Sequence, residues 1–229
     1  MLWSCHENRI EIFDKNLKRI RILQKEAWGL VSDVAMHPNA GIVIASENTL
    51  LHIDDTGDTI GEIDSGHFSL PRVCIYNGTM YASTTETIRR YTYSDGAWIK
   101  QGHIKLPREG LNTMSENNDT ITVCYNHSQI IDVLSMSGQQ LYTYDLKGTE
   151  GAGGLRFPLL CQEDSEGALL VADSFNYRLQ LLDNRRRWTI INIGPQQLYP
   201  QNAVYVDDTL YVHVGKDFIG YKLCKYIAK

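Results

Sequence analysis

The fold is decided by residues 155–193, which read LRFPLLCQEDSEGALLVADSFNYRLQLLDNRRRWTIINI. The segment opens with an apolar run that has a proline at its start, and three further apolar or alternating runs follow at residues 168–172, 178–182 and 188–193. Polar, turn-forming residues separate the four runs. Short runs of this kind, divided by turns, predict one antiparallel four-stranded sheet and one unit of a repeat.

The same pattern recurs along the chain. Residues 173–183 align without a gap with residues 4–14, so that Arg178 falls on Arg9 and each arginine opens an aliphatic run. The turn between the third and fourth runs carries a glycine at three positions: Gly57, Gly96 and Gly138. Their spacings of 39 and 42 residues match one propeller blade, which takes roughly 40–50 residues. The sequence therefore predicts an all-β, six-bladed β-propeller with four-stranded antiparallel blades.

We expect a single domain over residues 1–229 that is divided into six blades. Their approximate bounds are 1–29, 30–65, 66–105, 106–147, 154–194 and 198–229. The first and last blades are incomplete, because the first lacks its first strand and the last lacks its fourth. A propeller avoids open edges by closing on itself. We therefore expect either that residues upstream of Met1 complete the ring in a longer polypeptide, or that the tail 225–229 closes it alone.

Composition, charge and cysteine pattern exclude several classes of function. Aromatic residues make up 10% of the chain and charged residues 21%, which favours strands over long exposed helices. The net charge of −5 argues against a general polyanion binder, and we expect no DNA partner. The five cysteines form no C-x-x-C pair, which indicates buried reduced thiols. The chain has neither a secretory signal nor an apolar run of about 18 residues, so we predict a cytoplasmic protein without a membrane partner.

No catalytic constellation is recognisable in the sequence. The seven histidines form neither H-x-x-x-H nor H-E-x-x-H, and no G-x-S-x-G motif occurs, so we predict no metal, no cofactor and no enzyme. The glycine-rich residues 148–154 lack a following Lys-Ser/Thr and are interpreted as a surface loop. The alternative is a degenerate metal-dependent, lactonase-like propeller. Its candidate carboxylates are Glu47, Asp132, Asp173 and Asp208.

Residues 157–183 resemble an NHL repeat. They contain an F-x-P start, a D-x-x-G turn, a strand ending in V-A-D, and N-x-R before an aliphatic strand. Residues 8–14 match the repeat as well, whereas Ser46, Thr84 and His213 replace the strand-end aspartate elsewhere. The resemblance implies that Asp173 and Arg178 tie the turn between the second and third strands. A carboxylate and a guanidinium form strong, charge-assisted hydrogen bonds that suit this role.

The whole chain is similar to the C-terminal propellers of tripartite-motif (TRIM-NHL) proteins, especially divergent invertebrate ones. In that family the propeller recruits partners, and an upstream RING supplies the ubiquitin-ligase chemistry. This chain contains no RING, B-box or coiled-coil pattern. The resemblance therefore implies a non-catalytic domain that selects substrates for a TRIM-type ubiquitin ligase.

Partner-binding residues are expected in the loops that lead into the first strand of each blade. These loops carry the candidates Trp28, Arg72, Arg108, Arg156, Phe157 and Tyr199. Arginine beside aromatic rings suits the carboxylates of a peptide or the stacking of an RNA base. With three arginines and a negative net charge, we expect protein or peptide binding, and RNA binding in post-transcriptional regulation is the alternative. The remaining interpretation is that these six residues lie on the rim without binding a common partner. The separate run 185–188 is interpreted as a solvated turn.

Overall fold

The computed structural model of the chain consists almost entirely of antiparallel sheets. It describes residues 2–14, 16–37, 41–65, 71–117, 119–125, 127–145, 154–163, 168–183, 187–193, 199–206, 209–214 and 217–222. The chain divides into two compact units, Met1–Glu109 and Gly110–Lys229. Each unit holds three of the sheets.

The described residues of the unit Met1–Glu109 form eleven strands. Its first sheet consists of β1 (Leu2–His6), β2 (Arg9–Phe13) and β3 (Arg19–Gln24). Its second sheet consists of β4 (Val31–His37), β5 (Gly41–Ser46), β6 (Thr49–Ile53) and β7 (Thr59–Ser65). Its third sheet consists of β8 (Val73–Tyr76), β9 (Thr79–Ser83), β10 (Thr87–Ser94) and β11 (Ala97–Lys105). A short 3-10 helix, Glu26–Trp28, connects the first two sheets.

The unit Gly110–Lys229 contains eleven strands among its described residues. The fourth sheet consists of β12 (Thr113–Asn117), β13 (Thr120–Tyr125), β14 (Ile130–Ser135) and β15 (Gln140–Asp145). The fifth consists of β16 (Pro158–Glu163), β17 (Leu169–Asp173), β18 (Arg178–Leu182) and β19 (Trp188–Ile191). The sixth consists of β20 (Pro200–Val206), β21 (Thr209–Val214) and β22 (Asp217–Lys222). A 3-10 helix, Ser174–Asn176, lies between β17 and β18.

Each sheet is a meander in which every strand pairs with the next strand along the chain. The strands predicted at residues 168–172, 178–182 and 188–193 are present as β17, β18 and β19. Among the described residues, the first and last sheets have three strands each and the other four sheets have four. The prediction of six blades, with the first and last incomplete, is corrected to five, because the 22 described strands suffice for five complete four-stranded blades with two strands left over.

Two hairpins show why the turn residues fix the strand register. Asn77 and Gly78 have φ angles of 47° and 77°, and Asp95 and Gly96 have 51° and 82°. Both pairs are two-residue loops with positive φ at each position, the geometry that follows the twist of the flanking strands. Asn77-Gly78 and Asp95-Gly96 therefore form tight hairpins.

The core of each unit lies between consecutive sheets. The second strand of each four-stranded sheet is almost wholly buried, whereas outer strands such as β3 and β15 are largely exposed. In the unit Met1–Glu109, Ile10 of the first sheet packs in one cluster with Ile44 and Ile53 of the second. In the unit Gly110–Lys229, Ile131 of the fourth sheet packs in one cluster with Val171 of the fifth. Apolar second strands are thus enclosed by neighbours on both faces, which explains their continuous hydrophobic runs.

Some residues named in the sequence predictions lie outside the part of the chain that the structure describes. Residues 148–153 of the predicted surface loop 148–154, the arginines at 185 and 186, and Asp208 lie outside the described residues. Gly154 is buried, which corrects the loop prediction at this position, because its carbonyl accepts hydrogen bonds from Arg178 and Gln180. Cys5, Cys74 and Cys124 are free thiols, and the last two are buried as predicted. In the described part of the chain, no helix has the length and apolar character that a membrane crossing requires.

Candidate partner-binding surface

Two kinds of connection lie at the same end of every sheet. We call the segment before the first strand the leading loop, and the connection between the second and third strands the inner turn. In an antiparallel meander the first strand begins where the second one ends, so these two connections are neighbours. In the fifth sheet, Arg156 and Phe157 belong to the leading loop, and Phe175 and Tyr177 belong to the inner turn.

Five aromatic side chains form a continuous set of ring contacts at this end of the unit Gly110–Lys229. We call this set the aromatic patch, and its members are His127, Phe157, Phe175, Tyr177 and Tyr199. The rings of Phe157 and Phe175 stack at 4.6 Å with an angle of 11°. Tyr199 meets Phe175 edge-on at 6.0 Å and Tyr177 at 4.6 Å. His127 contacts the Phe157 ring at 6.1 Å, so the contacts extend over three sheets.

The patch is exposed to solvent. Phe175 is 43% exposed, Tyr177 is 37% exposed and Tyr199 is 46% exposed. Single exposed apolar residues are ordinary on a protein surface, but a contiguous group of large rings typically marks an interaction site. Tyrosine and phenylalanine are also among the residues that contribute most to binding when a partner covers them.

Arg156 adds a positive charge at the edge of the patch. Its guanidinium carbon lies 6.0 Å from the centroid of the Phe175 ring, within the range of a cation–π contact. The backbone of Arg156 is fixed on both sides, since its N–H donates to Asp173 Oδ1 at 2.7 Å and its carbonyl accepts from the Phe175 N–H at 3.1 Å. Among the residues that the structure describes, no carboxylate bonds to the guanidinium itself.

A buried carboxylate holds the two connections of the fifth sheet together. Asp173 is fully buried and accepts from Arg178 Nε at 2.7 Å and from Gln180 Nε2 at 2.8 Å. The Asn176 amide of the inner turn donates to both of its oxygens, at 3.0 and 2.9 Å. Together with the Arg156 N–H, these bonds tie the leading loop, the inner turn and β18 to one group. The side chains that the sequence paired, Asp173 and Arg178, are therefore bonded, and their role is to fix the loops of the patch.

Two residues of the patch occupy an unusual backbone conformation. Phe157 has φ = 58° and Tyr177 has φ = 54°, the left-handed region that bulky side chains rarely adopt. Each such residue lowers the free energy of unfolding by about 1–3 kcal/mol, and glycine would avoid most of that loss. The exposed ring of Tyr177 therefore lies at a position where glycine would be less strained, which favours a role for the ring itself.

The two tyrosines of the patch are joined by their hydroxyl groups, whose oxygens lie 2.9 Å apart. This hydrogen bond to Tyr199 raises the pKa of Tyr177 above its ordinary value. Two hydroxyl groups carry two hydrogens, and the bond between them uses one. The other hydrogen is available for an acceptor on a partner.

Trp28 does not contribute to a partner surface, which corrects the sequence prediction. It is 3% exposed and packs against Ile10, Leu23 and Ile44 in the cluster between the first two sheets. Its carbonyl also accepts a hydrogen bond from the Ser46 hydroxyl. The 3-10 helix Glu26–Trp28 turns the ring into the core instead of towards the solvent.

The two other candidates of the unit Met1–Glu109 have different surroundings. Arg72 is half-buried, and its Nη1 donates to the Ser32 carbonyl at 2.5 Å. Burial raises the pKa of the Asp33 carboxyl group, and the charge of Arg72 opposes that shift. Arg72 therefore stabilises the protein interior, whereas Arg108 is half-exposed in the loop after β11. Of the six predicted residues, the structure brings together Arg156, Phe157 and Tyr199.

A concave surface lies at the corresponding end of the first two sheets. It is a shallow depression of about 270 Å³ whose lining includes Glu7, Glu26 and Glu47. Glu47 Oε1 accepts from the Leu30 N–H at 3.3 Å. The depression is acidic, whereas Arg156 makes the edge of the aromatic patch basic.

The carboxylates that the sequence offered for a metal-dependent enzyme are bonded to protein groups where they are described. Asp132 is fully buried and accepts from the Thr143 hydroxyl at 2.6 Å, and Asp173 is bonded to Arg178. Glu47 lies at the acidic depression. Within the described ranges, no group of three or more His, Cys, Asp or Glu side chains is arranged to hold a metal ion.

Three members of the patch were not predicted from the sequence: His127, Phe175 and Tyr177. The prediction considered leading loops and gave the inner turn of the fifth sheet only a structural role. The signal was nevertheless present, because the S-F-N-Y sequence of that turn must lie at the same end as the leading loop.

Comparison with known proteins identifies the fold. No family model matches the chain, and no curated protein sequence matches it. A catalytically inactive virginiamycin B lyase from Staphylococcus aureus, crystallised with quinupristin, is similar with a TM-score of 0.69 and 15% identity, over 93% of this chain and 73% of that chain. A chain of a nidogen/laminin complex is similar with a TM-score of 0.70 and 15% identity, over 96% and 88%. This chain is an all-β propeller.

Identities this low establish the fold alone. A further propeller neighbour, a protein of unknown function from Bacteroides caccae, has 14% identity and a TM-score of 0.67, over 91% of this chain and 79% of that one. The neighbours include both an enzyme and a chain from a protein complex, so the propeller fold by itself argues neither for nor against catalysis. The similarity to TRIM-NHL proteins remains a prediction from the sequence.

Proposed function

We propose that this propeller recruits a protein partner through the aromatic patch and has no catalytic role of its own. In the cytoplasmic setting predicted from the sequence, it selects substrates for a TRIM-type ubiquitin ligase, as the TRIM-NHL resemblance implies. The observation that carries the proposal is the continuous set of exposed rings, from His127 to Tyr199, with Arg156 at its edge.

The patch has the chemistry and the rigidity of a binding hot spot. Aromatic residues and arginine dominate the residues whose truncation weakens protein complexes most. A surface that is held in place before binding loses less conformational entropy when the partner arrives. The bonds of Asp173 provide that rigidity, because they fix the backbone next to Phe157 and Phe175.

A protein partner agrees with the local charge better than RNA does. Single-stranded RNA also stacks on aromatic rings, but its binding depends on several cations that neutralise phosphates. The patch carries one arginine, and the net charge of the chain is −5. Catalysis is not part of the proposal, since Asp132 and Asp173 are engaged with protein groups.

The proposal is tested by comparing the partners of matched variants in cells. Proximity labelling with the wild-type chain should identify proteins that are lost when Phe175 and Tyr199 are both changed to serine. The control is Leu141→Ser, which alters an exposed residue on β15 outside the patch. Ubiquitylation of the lost partners should fall in the patch variant as well. A partner set that is the same for the patch variant and for wild type would contradict the proposal, and partners lost after ribonuclease treatment would favour RNA binding.

A further inference from the structure

We infer that the aromatic patch selects an extended, proline-containing peptide segment that carries a carboxylate beside its prolines. The inference rests on the proposed function and specifies the chemistry of the partner at the same surface. Three features lead to it: the inclination of the rings, the available hydroxyl hydrogen and the charge of Arg156.

The rings present apolar faces and edges at different inclinations. Phe157 and Phe175 are nearly parallel, but Tyr199 is tilted by 75° from Phe175 and by 55° from Tyr177. Phe175, Tyr177 and Tyr199 are exposed, so the compact apolar ring of a proline can pack against them. Proline-rich segments dock on surfaces lined by aromatic rings, and their polyproline II conformation exists before binding, so little entropy is lost.

The tyrosine pair supplies the polar contact that such a segment needs. A polyproline II backbone makes no internal hydrogen bonds, so its carbonyl groups are open acceptors. Tyr177 and Tyr199 share one hydroxyl hydrogen between their oxygens at 2.9 Å and keep the other for a further acceptor. The pair can therefore donate to a peptide carbonyl next to the rings.

Arg156 sets the charge of the partner. Its guanidinium lies against the face of Phe175, and among the described residues no carboxylate neutralises it. Asp173, which accepts from the backbone N–H of Arg156, is buried and bonded to the Arg178 guanidinium. A carboxylate on the peptide would form a charge-assisted, bidentate pair with the guanidinium. A lysine at the same place would be repelled.

The test uses a fluorescein-labelled peptide of repeated Pro-Pro-Glu triplets, with the full chain titrated against it and binding followed by anisotropy. One comparison peptide replaces glutamate by lysine, and the other replaces the prolines by glycine and serine. We expect both comparison peptides to bind at least about tenfold more weakly, which corresponds to about 1.4 kcal/mol. Equal binding of the glutamate and lysine peptides would overturn the inference, and so would equal binding of the proline and glycine-serine peptides.

A charge reversal makes the test specific. Arg156→Glu should exchange the preference, so that the lysine peptide binds about tenfold better than the glutamate peptide. The side chain of Arg156 makes no hydrogen bond within the described residues, so the variant should keep the thermal stability of the wild type. Leu141→Ser should bind all peptides as wild type does. An Arg156→Glu variant that melts like wild type but still prefers the glutamate peptide would refute the role of Arg156.

The outcomes separate this inference from the proposed function. If partners in cells depend on the patch but no proline peptide binds, the inference fails and the proposed function stands. If the partners do not depend on the patch, both fail. Binding of oligouridine that requires Phe175 and Tyr199, in the absence of peptide binding, would overturn the inference in favour of RNA.

Discussion

Replacing Asp173 by alanine should lower the free energy of unfolding by about 3–5 kcal/mol. The carboxylate is fully buried, and the side chain of its partner Arg178 is 11% exposed. Alanine would remove the carboxylate that pairs with this cation. It would also remove the acceptor of the Arg156 N–H and one acceptor of the Gln180 amide.

The magnitude follows from what remains unpaired in the variant. A hydrogen bond to a charged group contributes about 1.5–3 kcal/mol, but bonds that share one carboxylate do not add fully. Removing one partner of a buried ion pair costs about 3–5 kcal/mol, because the other charge stays in a poorly solvated place. Arg178 Nη2 keeps its bond to the Gly154 carbonyl at 2.9 Å, which places the expected loss towards the lower end of that range.

The chain offers a matched control on the same sheet. Asp183 pairs with Arg187 at 2.8 Å and accepts from the Arg187 N–H at 2.8 Å, but its side chain is 27% exposed and that of Arg187 is 61% exposed. Because water replaces the lost contacts there, Asp183→Ala should cost at most about 1 kcal/mol.

Urea unfolding followed by circular dichroism measures the free energy of unfolding of both variants. An unchanged slope m would show that the surface exposed on unfolding is the same as in the wild type. The Pro-Pro-Glu peptide gives a second readout, since loosening Arg156 and Phe157 should weaken its binding in Asp173→Ala alone. The reasoning would be refuted if Asp173→Ala and Asp183→Ala had the same stability within error.

Three further predictions concern backbone strain, the core and acid stability. Phe157→Gly should be about 1 kcal/mol more stable than Phe157→Ala in urea unfolding, because glycine relieves the left-handed φ; equal stabilities would contradict that view. Ile131→Ala, in the core between two sheets, should cost about 2–5 kcal/mol, and the exposed Leu141→Ala less than about 1 kcal/mol. Burial opposes ionisation of Asp64, but the Tyr91 hydroxyl and neighbouring cations outweigh it and lower its pKa. Its contribution to stability is therefore complete above the unfolded pKa of about 3.9 and is lost as pH falls through the lower folded pKa. Melting temperatures measured down to about pH 2 should fall less steeply for Asp64→Asn than for wild type, and parallel curves would contradict this.

The strands were predictable because their signals are local. Alternating or continuous apolar runs end at residues that stop a strand, and Asn77-Gly78 and Asp95-Gly96 adopt the conformation that only a few residue types reach easily. The number of complete blades was harder to predict, because it depends on how the strands of the whole chain are divided among the sheets. A single sequence does not contain that information.

The site was only partly predictable, for two physical reasons. Trp28 looked like a rim residue by position, but a single 3-10 turn was enough to rotate its ring into the core. Phe175 and Tyr177 looked like turn residues, although antiparallel pairing places them beside Phe157. Predicting such a surface requires knowing which connections share one end of a sheet, and sequence distance does not reveal it.

The core clusters have a consequence for how the chain comes apart. Ile10 and Ile44 belong to different sheets but to one cluster, and the same holds for Ile131 and Val171. If one sheet detached, the most apolar strand of its neighbour would meet water, so adjacent sheets should lose their structure as one cooperative block. Amide hydrogens of the second strands should therefore exchange together and late, whereas those of β3 and β15 should exchange early. A cell's proteases would then meet either an intact block or a wholly opened one.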